Sequence, residues 1–105
     1  MKVQFVPDGL RIRVDHAEFA ALRDGRPLAL ALAARWRLEV RCGDVPALDQ
    51  DGDRVDLTLP AAALDDLATR LPSREGIDLR LEAGGVVLDV SFEVDLRDGR
   101  PRRPR

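Results

Sequence analysis

The chain has one cysteine, one histidine, one lysine, one tryptophan, two serines, and no tyrosine or asparagine among its 105 residues. A single thiol excludes an internal disulfide, which fits a reducing compartment such as the cytoplasm. One imidazole and few hydroxyls leave little material for nucleophilic catalysis: a Cys–His pair would have to use both Cys42 and His16. No apolar run approaches the ~20 residues of a membrane helix, and Met1 to Val14 holds neither the apolar segment nor the cleavage site of a secretion signal. No membrane association is expected.

What is present suits one globular domain. Hydrophobic residues make up 45% and charged residues 34%, a balance that folds. The net charge of −2 hides an asymmetry, because Arg100, Arg102, Arg103 and Arg105 leave 13 basic against 19 acidic residues before them. The expected organisation is a single domain over 1–98 with a basic, disordered tail at 99–105. Arginine in place of lysine, together with the missing Asn and Tyr, reads as the bias of a GC-rich genome.

Alternation of period two dominates. The even positions Leu28, Leu30, Leu32, Ala34, Trp36, Leu38, Val40 and Cys42 are apolar while most odd positions from Arg35 onward are charged, the pattern of an extended chain with one buried face. At ~3.3 Å per residue, fifteen residues would span about 50 Å, against a radius of gyration of ~13 Å for a domain of this size. The stretch must therefore curl, break near Ala33 and Ala34, or send one end to pair with a second copy. Further strands are predicted at Val3 to Val6, Leu10 to Val14, Arg54 to Leu59, Ile77 to Ala83 and Val86 to Leu96, the last two joined by a Gly84–Gly85 hairpin turn. Asp15 with Glu18 forms a capping box for a short helix carrying Phe19 and Leu22 inward, ended by Gly25 and Pro27. Pro60 opens a second helix with an apolar stripe at Leu64, Leu67, Ala68 and Leu71, stopped by Pro72. Gly43 to Asp53 reads as a loop.

These elements predict an α+β fold: a curved, mostly antiparallel sheet of five to six strands with two short helices on one face, or alternatively a small β-barrel. A faint internal echo aligns Ile12, Val14, Ala17, Phe19 and Leu22 with Leu57, Leu59, Ala62, Leu64 and Leu67, each strand running directly into a helix.

Candidate chemistry meets plain alternatives. Cys42 keeps the inward phase of its strand and reads as a small core side chain; His16, beside a helix cap, reads as solvent-facing. Asp44, Asp49, Asp51 and Asp53 suggest calcium, but counting from Asp49 the glycine falls at position 4 and position 12 is Pro60, which breaks the calcium-loop spacing. Asp89, Glu93 and Asp95 share a strand face where arginines on neighbouring strands would pair with them. No catalytic, metal or cofactor site is predicted. If the first firm strand and the long stretch are neighbours, Arg11, Arg13, Arg35, Arg37 and Arg41 form a strip able to contact an anion or a nucleic acid.

The segments Gly9-Leu10-Arg11-Ile12-Arg13-Val14-Asp15, Glu18-Phe19-Ala20-Ala21-Leu22, Leu57-Thr58-Leu59-Pro60 and Val90-Ser91-Phe92-Glu93-Val94-Asp95-Leu96 resemble a family of small bacterial proteins of unknown function. That resemblance implies a single domain of about this length and carries over no activity. The compact Ala33–Ala34 junction departs from it. From Arg54 to Leu88, the order strand, Leu59-Pro60, helix, Glu75-Gly76, strand, Gly-Gly hairpin, strand is similar to the swapped-hairpin unit of AbrB-type regulators. This likeness implies a dimeric DNA binder, although only Arg54 stands where several basic residues are expected. The resulting expectation is a non-catalytic cytoplasmic binding or protein-interaction module for a protein partner or small ligand, as a monomer or a homodimer. A nucleic-acid-binding regulator comes second and a small enzyme third.

Overall fold

The alternating run from Leu28 breaks at Ala33 and Ala34, the second of its three possible resolutions. Both alanines take φ of 55°, and the Arg35 N–H donates to the Leu32 carbonyl at 3.1 Å, turning the chain back on itself. The computed structural model describes residues 1–95; Leu96 and the expected basic tail lie outside them. Its elements are β1 (Lys2–Val6), β2 (Gly9–Val14), α1 (His16–Arg23), β3 (Leu28–Leu32), β4 (Trp36–Gly43), β5 (Ala47–Asp51), β6 (Arg54–Pro60), α2 (Ala61–Arg70), β7 (Ile77–Ala83) and β8 (Val86–Val94).

The expected single sheet is corrected to two four-stranded mixed sheets, ordered β1-β2-β8-β7 and β3-β4-β6-β5, and they do not close into a barrel. Four antiparallel hairpins supply the outer pairings, and parallel pairs β2–β8 and β4–β6 join them. The Gly43 to Asp53 segment is not all loop: β5 forms within it and makes a hairpin with β6 around Gly52 and Asp53.

The order β1-β2-β8-β7 becomes β5-β6-β4-β3 when each element of the first half is exchanged with its counterpart in the second. Each half is hairpin, helix, hairpin, and each sheet takes the first hairpin of one half and the second hairpin of the other. The parallel registers agree: Leu10, Ile12 and Val14 face Val90, Phe92 and Val94, as Val55, Leu57 and Leu59 face Leu38, Val40 and Cys42. The faint echo in the sequence is thus one part of a pseudo-twofold arrangement of the described residues.

One core serves both sheets and both helices, with Ile12, Phe19, Leu22, Leu38, Leu57, Leu64, Leu67 and Phe92 among its buried members. The capping box of α1 is present: the Glu18 N–H donates to Asp15 Oδ1 at 2.7 Å and the Asp15 N–H to Glu18 Oε1 at 3.0 Å. Pro60 is the N-cap of α2, and Leu64 and Leu67 are its buried residues. Arg23 on α1 pairs with Asp65 on α2 at 3.0 Å, an exposed link between helices that already touch. Helix α1 lies against β3 and β4, and α2 against β6 and β7.

The Ala33–Ala34 turn carries strain, since left-handed backbone crowds Cβ against the neighbouring carbonyl at a cost of about 1–2 kcal/mol per residue. Replacing Ala33→Asn together with Ala34→Gly, the pair such hairpin turns favour, is expected to raise stability by about 1 kcal/mol after the greater unfolded freedom of glycine is offset. Urea unfolding measures it, and a lower midpoint would contradict the turn geometry.

Candidate interaction surface

The two sheets meet along two lateral seams. On one side the edges β5 and β7 pack together. On the other, the edges β1 and β3 leave a groove of about 180 Å³ lined by Val3, Phe5, Leu30, Ala31, Leu32, Trp36 and Leu38. Phe5 and Trp36 bridge it edge to face, with ring centroids 5.2 Å apart and planes at 73°. Large apolar surface stays in solvent here: Phe5 is 56% and Leu32 62% exposed, with Leu30 at 40%. The even phase explains the direction of these side chains but not their exposure. Leu38 and Val40 on β4 are fully buried, whereas β3 is the edge strand of its sheet, with a strand on one side alone.

Charge is sorted across the same axis. Beside the open seam the outer faces carry Lys2, Arg11 and Arg13 on β1 and β2, with Arg35 and Arg37 at and after the Ala33–Ala34 turn. Beside the closed seam stand Asp49 and Asp51 on β5 and Asp78 and Glu82 on β7, relieved by Arg80.

The five candidate arginines do not form one strip. Arg11 and Arg13 lie on the sheet of β1 and β2, while Arg35, Arg37 and Arg41 belong to the β3–β4 hairpin of the other sheet, so β2 and β4 are not neighbours. Most already face carboxylates. Arg13 pairs with Glu93 at 3.5 Å, Arg35 with Asp53 at 3.7 Å, Arg37 with Glu39 at 3.6 Å, and Arg41 with Glu39 and with Asp56 at 3.7 Å. Arg54 joins that cluster through Asp56 at 3.0 Å and Glu39 at 3.4 Å. Its pKa is raised above the ordinary arginine value, first by the Asp56 hydrogen bond and then by the charges of Asp56 and Glu39. Arg11 has no ion pair of this kind among the described residues.

The other candidates sit apart from this surface. Cys42, near the end of β4, is partly buried against the core. His16 opens α1 half-buried, less exposed than the sequence suggests. Asp89 pairs with Arg80 at 3.0 Å, the cross-strand partnership expected of that face. Asp49 and Asp51 lie on β5 and Asp53 in the following turn; among the described residues no three His, Cys, Asp or Glu side chains converge as metal ligands would. Nor is any described helix long and apolar enough to cross a membrane.

The groove was not legible as a site, because its residues satisfy the pattern of a core. One signal was available for its surroundings: Gly52-Asp53 is a two-residue hairpin turn pair, which would have placed β5 beside β6. No family model, curated protein or solved structure matches the chain, so the surface stands on its own geometry.

Proposed function

We propose that this chain is a non-catalytic, protein-binding module of the bacterial cytoplasm, and that it docks its partner at the open β1–β3 seam. The observation that carries this reading is the exposed apolar set Phe5, Leu30 and Leu32 around Trp36, in a pseudo-symmetric molecule whose equivalent edges are closed. Contiguous exposed apolar surface with a polar rim characterises interaction sites, and aromatic side chains dominate binding energy in them. A groove of about 180 Å³ is below the ~300–1,000 Å³ of small-molecule pockets, which favours a protein over a small ligand.

The test compares the tagged wild-type chain with Leu32→Asp as bait. Leu32 is exposed, so the variant keeps the core intact. A partner held by the wild type and weakened about tenfold or more in the variant, roughly 1.4 kcal/mol, supports the seam; equal retention by both baits would remove it. Trp36 is the only tryptophan, so its emission reports occupancy directly.

A second reading, a nucleic-acid-binding regulator, is favoured by Lys2, Arg11 and Arg13, which together line a shallow cavity of about 330 Å³ on the outer face of β1 and β2, since clustered cations attract phosphates. Binding to an oligonucleotide that weakens steeply with salt and persists in Leu32→Asp would support this reading over the first.

A further inference from the structure

The four sheet edges are β1, β7, β3 and β5, and their sequences differ in one respect. β1 carries Lys2 and Gln4, β5 carries Asp49, Gln50 and Asp51, and β7 carries Asp78, Arg80 and Glu82. β3 reads Leu-Ala-Leu-Ala-Leu. The comparison with β7 is the sharpest, because the two strands are pseudo-symmetric counterparts. Leu28 pairs with Val40 and Ile77 with Phe92, and Val40 and Phe92 hold equivalent places. Ala29 therefore stands where β7 has Asp78, and Ala31 where β7 has Arg80. Charged residues on an edge prevent its unpaired N–H and C=O groups from accepting another strand. In β3 those residues are missing.

Resting on the reading of the seam as an interaction surface, we infer that the β3 edge pairs antiparallel with the β3 edge of a second copy of this chain. The edge is complementary to itself, as a twofold interface requires. With the dyad at Leu30, Leu28 lies opposite Leu32 of the second copy and Ala29 opposite Ala31 of the second copy. On the outer face Ala29 is backed by Glu39 and Ala31 by Arg37. Each transverse row then runs Glu39, Ala29, Ala31 of the second copy, Arg37 of the second copy: opposite charges at the ends and only methyl groups between. In-register parallel pairing would end each row in like charges. The inner face brings Leu30 and Leu32 under cover beside Phe5, removing the exposed apolar surface that a lone chain leaves in water.

The contact is five residues long, so the association is expected to be weak and concentration-dependent. Sedimentation of the full chain should show the 11.6 kDa species giving way to twice that mass as concentration rises. Substituting Ala29→Lys with Ala31→Lys places like charges opposite one another across the dyad, and the protein should remain at single mass throughout. Ala29→Asp with Ala31→Asp should do the same alone, and mixing the two variants one to one should restore the double mass. Both positions are exposed, so neither variant disturbs the core, and circular dichroism confirms the fold. A wild type that stays at single mass up to about 1 mM, a lysine variant that dimerises like the wild type, or a mixture that does not associate would overturn the inference. If the wild type is monomeric yet retains a different protein in a Leu32-dependent way, the self-pairing fails and the seam reading survives.

Discussion

Phe92→Ala is expected to destabilise the fold by about 3–5 kcal/mol. The side chain is fully buried, on a strand with partners on both sides: Phe92 pairs with Ile12 of β2 and Ile77 of β7. Its ring meets that of Phe19 on α1 with centroids 6.3 Å apart, so one residue joins three strands and a helix across the exchanged hairpins. Truncation to Ala removes most of the buried apolar area and leaves a cavity that strands paired on both sides cannot close. For a domain of this size, whose total stability is on the order of 5–15 kcal/mol, the loss lowers the melting temperature by roughly 15–30 °C. Urea or thermal unfolding measures it. A loss below about 1 kcal/mol would mean that Phe92 is not at the centre of the core.

Gly9→Ala tests the topology itself and is expected to cost about 3 kcal/mol. A Cβ at Gly9 would lie 1.7 Å from the carbonyl oxygen of Asp89 and 2.6 Å from its carbonyl carbon. The obstacle is backbone, so no side-chain rotation relieves it. Gly9 faces Asp89 at the start of the β2–β8 pairing, and the Asp89 N–H donates to the Asp8 carbonyl at 2.8 Å. Accommodating the methyl group means separating β2 from β8 where the two halves are joined. The equivalent position in β6 is Arg54, which carries a full side chain, so the glycine answers a local close approach and not the pseudo-symmetry. In a chain whose β2 paired elsewhere, the substitution would change stability little, and that result in an unfolding titration would refute the parallel pair.

Much of the local structure was written in the sequence. Leu10, Ile12 and Val14, then Val55, Leu57 and Leu59, alternate inward as strands with one buried face, and all six are buried. Asp15 with Glu18 specified a capping box, and the glycines at 84 and 85 take φ of 58° and 81°, which a two-residue hairpin turn requires. Each signal is local, set by the backbone or by which face meets water. β5 escaped because only Leu48 of its five residues is fully buried, too little alternation to separate an edge strand from a polar loop. The break at Ala33 and Ala34 stood as one of three alternatives because alanine carries no turn signal, and only the tertiary structure chose among them.

The candidate surface was legible in its parts and not in its arrangement. Arg11, Arg13, Arg35 and Arg37 were correctly placed outward, but their division between two sheets depends on which hairpins pair. Leu30 and Leu32 carried the same alternation as buried Leu38 and Val40, and nothing along the chain separates them.

By itself, then, the sequence determined both helices, the strands other than β5 and the division of β3 from β4, their inward faces, the capping box and the Gly84–Gly85 turn, because these follow from backbone preference and the transfer of apolar side chains from water. Only the tertiary structure decided that the two halves exchange hairpins, that β5 and β7 close one seam, and that β1 and β3 leave the other open. Those outcomes are set by pairings between residues far apart in the chain, where strands with the same alternation compete for the same neighbours and no single segment records which one wins.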